Sequence, residues 1–105
     1  MTTSTSAPSE LLNHRTVKAV RNRVIRDAPR LFHKTTSRAY ESEIYMISLL
    51  KTLHDSPSAH NAFTETIANE LSAAGFSCNV QLHDIALLRD GVTIREGVQV
   101  TVEVR

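Results

Sequence analysis

At Gly75 the spacing of apolar residues changes from near four to two, and this switch constrains the fold more than any other feature of the chain. Upstream, Val17, Val20, Val24, Ala28 and Leu31 step by three or four residues, as do Ala59, Phe63, Ile67, Leu71 and Ala74. Such spacing places them on one face of a helix. Downstream, Phe76, Cys78, Val80 and Leu82 alternate with Ser77, Asn79, Gln81 and His83, and Val98, Val100, Val102 and Val104 repeat the alternation. That period belongs to half-buried strands. Helices first and strands afterwards predict an α+β fold, with N-terminal helices packed on one face of a C-terminal antiparallel sheet.

The punctuation refines the expectation to about three helices. The first starts near Pro8 or Ser9, with Leu11 or Leu12 extending its stripe, and runs toward Lys34. Pro29 removes a helix donor and disfavours helical geometry at Ala28, so this helix is expected to kink or break there, with Asp27 capping a short second piece. KTTSR (34–38) reads as a connector, and Ala39 to Leu53 as a second, central helix, apolar at seven of ten positions from Ile44 to Leu53. Ser56 and Pro57 start a third helix that Gly75 stops. Asp90-Gly91 is a strong hairpin signal and Glu96-Gly97 a weaker one. Together they predict a three-stranded β-meander whose middle strand is Val92 to Arg95. The polar opening MTTSTSAPSE suggests a flexible tail over residues 1–8 ahead of one domain, 9–105, in keeping with a length of 105 residues.

Motifs for chemistry are missing from the sequence. All three glycines fall at a helix end or in turns, leaving none for a phosphate loop. His54, His60, Cys78 and His83 lack the close pairs that zinc sites use, and an odd separation puts Cys78 and His83 on opposite strand faces. Adjacent residues cannot align as a triad, so His54-Asp55-Ser56 reads as a helix end and cap. Glu41 with Glu43, and Glu65 with Glu70, share no helical face well. The expectation is a protein that is not an enzyme and carries no cofactor or metal. Lone Cys78 suits a reducing, cytoplasmic setting, and no apolar run is long enough to cross a bilayer. The Ser/Thr- and Arg-rich, acid-poor N-terminus also fits an organelle-targeting segment.

Charge is the one feature with functional weight. The net charge is +1, yet residues 1–40 hold eight Lys or Arg against two acids, whereas residues 41–105 hold four against nine. On the first helix Arg15, Arg23, Arg26, Arg30 and Lys34 gather opposite the valine stripe, flanked by Lys18 and Arg21. Three readings compete: a solvated face partly paired with Glu41, Glu43, Glu65 and Glu70, a phosphate-binding face, and a site for an acidic protein partner. Phe32 is the only aromatic residue in the stretch, and no nucleic-acid signature accompanies it. The final strand, VQVTVEV, offers a second surface. At a sheet edge, Gln99, Thr101 and Glu103 would mark an interface for self-association or for another protein's strand. The sequence therefore points to a small binding module, a protein-interaction or assembly factor, with nucleic-acid binding through the basic helix as the alternative and a small enzyme whose site is not visible in the sequence as a minor one.

Overall fold

The computed structural model describes residues 8–105. The tail expected over residues 1–8 lies outside that range except for Pro8, which opens the first helix. Four helices, α1 (Pro8–Asn13), α2 (Arg15–Lys34), α3 (Ser48–Asp55) and α4 (Pro57–Ala73), accompany three strands, β1 (Ala39–Glu41), β2 (Cys78–Arg89) and β3 (Val92–Val104). The α+β class is as expected. Leu11, the α2 stripe Val17, Val20, Val24 and Ala28, the α3 pair Leu50 and Leu53, and the α4 stripe Ala59, Phe63, Ile67 and Leu71 are buried. They share one core with the sheet's inner row of Cys78, Val80, Leu82, Val98, Val100 and Val102.

Local chemistry explains several boundaries. Thr16 N–H donates to His14 Nδ1 at 3.1 Å, so His14 caps α2 and separates it from α1. Gly75, at φ +99°, ends α4: its N–H reaches Ser72 O at 3.0 Å while Phe76 N–H reaches Leu71 O at 2.9 Å. These two bonds form the six-to-one and five-to-two pattern of a Schellman cap. Asp90 and Gly91, at φ +53° and +77°, form the expected tight turn between Arg89 and Val92.

Three expectations are corrected. α2 runs through Pro29 as one helix of 20 residues. Buried Val24 and Ala28 before the proline and the packed Phe32 after it hold both sides on the core, and that packing outweighs the missing donor. The helix expected from Ala39 is strand β1, an extended crossing that bridges Tyr45 to Val98, and only then helix α3. Tyr40 packs on the core beside β3, so strand pairing overrides the local apolar count. The sheet is also no meander. β2 and β3 form a single long hairpin, β1 joins the other side of β3, and the order is β1-β3-β2. Gly97 turns nothing; it lies inside β3, where its lack of a side chain makes room for Ile44 and Met46 above it.

Candidate interaction surfaces

The five basic residues singled out on α2, Arg15, Arg23, Arg26, Arg30 and Lys34, are all exposed. The structure divides them. Arg23 Nη1 donates to Glu43 Oε1 at 2.9 Å and its Nε lies 3.8 Å from Asp27. Arg26 Nε donates to Asp27 Oδ1 at 2.8 Å. The hydrogen bond from Arg26 holds the Asp27 carboxyl below its usual range, and Asp27 raises Arg26 in turn. With side chains 52% and 58% exposed, the Arg23–Glu43 pair stabilises the fold only slightly. Arg15, Arg30 and Lys34 make no ion pair among the described residues.

Strand β3 is not an edge. β1 and β2 flank it, so Gln99, Thr101 and Glu103 sit on the open face of the central strand. Gln99 Nε2 donates to Ser42 O at 2.8 Å, and Thr101 Oγ1 lies 2.9 Å from His83 Nε2. Both side chains are thereby engaged within the sheet. Thr101 and Glu103, with Glu41, Asn79, Gln81 and His83, line a shallow polar hollow.

The free edge belongs to β2, and backbone directions follow from the bonds of β3. Val98, Val100 and Val104 direct their backbone groups toward β1 and its flanks: Tyr45 N–H donates to Val98 O, Ser42 N–H to Val100 O, and Val104 N–H to Arg38 O. Alternation then turns Gln99, Thr101 and Glu103 toward β2, so their antiparallel partners His83, Gln81 and Asn79 bond inward. The N–H and C=O groups of Cys78, Val80, Leu82, Asp84 and Ala86 consequently point away from the sheet. None has a hydrogen-bonded partner outside the β2–β3 ladder among the described residues.

Beyond Leu82 the hairpin becomes an arm. Its apolar residues change phase: Cys78, Val80 and Leu82 face the helices, whereas Ile85 and Leu87 fall on the open face. Asp84 takes the inner position, where Lys51 Nζ donates to its Oδ2 at 2.6 Å. Ile85 pairs with Gly97, over which Ile44 and Met46 lie. The large hydrophobic residues that remain exposed are Met46, Ile47, Leu87, Leu88 and Val92, all on the arm or the adjoining crossing. The phase change is legible in the sequence as Asp84 followed by Ile85 and Leu87, on the strand that precedes VQVTVEV.

Burial pushes the Cys78 thiol above its ordinary range, away from the thiolate a nucleophile needs. No group of three or more His, Cys, Asp or Glu residues that could hold a metal occurs among the described residues. Helices α3 and α4 are joined through Ser56, and in DNA readers built from two consecutive helices it is the second that enters the groove. The exposed face of α4 carries Glu65 and Glu70, and the helix has no Lys or Arg. No described helix is long and apolar enough to cross a membrane. No family model, curated protein or solved structure matches the chain.

Proposed function

We propose that this protein is a non-enzymatic interaction module whose working surface is the β2–β3 arm, which binds protein by adding a strand to the outer edge of β2. One observation carries the reading: the outward backbone groups of β2 have no partner among the described residues, at the same end of the molecule where the exposed apolar side chains collect. Monomeric proteins generally blunt such an edge with Pro, Lys, a bulge, an inward-pointing charge or a covering segment, and of these β2 has the inward Asp84, which is paired with Lys51. β2 contains neither Pro nor Lys, and the extra residue of the hairpin's register shift lies on β3. Backbone bonds would supply affinity, and Ile85, Leu87 and Leu88 selectivity. Affinity capture from the source cell tests this, comparing wild type with Ala86→Pro and with Arg15→Glu/Arg30→Glu. A partner lost with the first variant and kept with the second supports the arm; the reverse pattern overturns it.

The second reading, nucleic-acid binding along α2, is favoured by Arg15, Arg30 and Lys34, which like Lys18 and Arg21 have no acidic partner among the described residues. Arg15, Arg30 and Lys34 on three phosphates would give a log-affinity slope against log salt of about −3 for duplex DNA. Fluorescence anisotropy at two salt concentrations measures that slope. Absence of binding at low salt removes this reading.

A further inference from the structure

Resting on the arm reading, we infer that the strand added to β2 is the β2 of a second copy of this chain, paired antiparallel about a twofold axis at Ile85. Charge selects this occupant. β2 carries Asp84 and Arg89, which cancel, so the strand offers nothing to steer an acidic or a basic partner and does not repel itself. The backbone then limits the register. Because the outward groups belong to even-numbered residues, self-pairing must set even positions opposite even positions. Twofold axes at Asp84, Ile85 and Ala86 meet this condition near the middle of the arm.

Side chains decide among the three. An axis at Asp84 opposes that carboxylate to itself, which is destabilising. An axis at Ala86 sets Arg89 over His83 and leaves Asp84 against a leucine. An axis at Ile85 puts Ile85 against Ile85, Ala86 against Asp84, Leu87 against the His83 ring and Leu88 against Leu82, with no like charges opposed. Leu88, at 62% exposed, thereby gains an apolar neighbour. On the open face, the Met46–Ile85 strip of each copy runs into that of the other across the seam. Two three-stranded sheets become one six-stranded sheet, and both long edges disappear.

Sedimentation across the micromolar range, with circular dichroism as the check of folding, tests the pairing. Wild type is expected at twice its 11.7 kDa chain mass. Ala86→Pro removes one outward N–H and no bond to β3, so it should sediment as a folded monomer. Leu87→Lys, which alters a side chain and leaves the backbone intact, should do the same. In a Cys78→Ala background, Ile85→Cys should cross-link to a covalent dimer on oxidation, since directly opposed residues at such a site lie about 4.5 Å apart at Cα. Leu87→Cys, displaced from its own copy by four positions, should not. A wild type that stays monomeric overturns self-pairing alone, because the capture assay judges the arm separately. A dimer that survives both arm substitutions places the interface elsewhere and overturns self-pairing at β2, leaving the arm itself to the capture assay. Cross-linking by Leu87→Cys without Ile85→Cys overturns the Ile85 register.

Discussion

Ser42 is a polar residue only 5% exposed, and its hydroxyl explains why. Ser42 Oγ accepts from Val100 N–H at 2.9 Å and donates to Glu43 O at 2.7 Å, replacing a strand partner where the crossing leaves the sheet. Ser42→Ala should therefore cost about 1–3 kcal/mol in urea unfolding, the penalty of a buried donor left unsatisfied. Gly97 is constrained by contact. A Cβ there would stand 2.9 Å from Met46 Sδ and 3.1 Å from Tyr45 O, with Ile44 nearer still. Gly97→Ala should destabilise by about 1–3 kcal/mol through overpacking, and Ile44→Ala in the same chain should restore part of it. His60 adds a pH dependence. It stacks on His54 at 5.4 Å, and burial, then the neighbouring His54, lowers its pKa from 6.5. A histidine depressed in the fold binds its proton more readily when unfolded, so its contribution is present above pH 6.5 and is lost as pH falls through the folded value. Melting temperature should drop between pH 7.5 and 5.5, and His60→Gln should flatten that part of the profile.

At the scale of elements, what could be read from the sequence was what depends on local periodicity and turn chemistry. The α2 and α4 stripes, the Gly75 stop, the Asp90-Gly91 turn and the alternation of both long strands are visible as patterns and occur in the structure. What escaped depends on distant partners. Nothing near Tyr40 or Tyr45 shows that β3 will lie beside them, so an apolar run reads as helix until the sheet claims its first residues. Gly97 looks like a turn because its close neighbours come from half the chain away. The basic face was legible as charge, but its division between paired Arg23 and Arg26 and the remaining cations needed Glu43, which belongs to the crossing. Pro29 supplies the test of packing against propensity. It leaves α2 one donor short, so Pro29→Ala should raise stability by up to about 3 kcal/mol without altering the helix, whereas a true break would show little gain. A thermal melt with helical ellipticity distinguishes the two.

Over the whole molecule, the opposite charges of the two parts of the chain are not the glue of the fold. Of the acids that could have answered α2, namely Glu41, Glu43, Glu65 and Glu70, only Glu43 forms an ion pair with it among the described residues. The other cross-element pair, Lys51–Asp84, ties α3 to the arm and lies within the acidic part of the chain. Cohesion comes instead from the apolar stripes of α2, α3 and α4 against the inner row of the sheet. Charge reversal should then leave the molecule folded. Arg23→Glu with Arg26→Glu breaks three surface ion pairs, two to Asp27 and one to Glu43, and sets new carboxylates beside both acids, and exposed pairs of this kind stabilise a fold only slightly. A small lowering of the urea midpoint, with circular dichroism unchanged and most of the loss recovered in high salt, is the expected result.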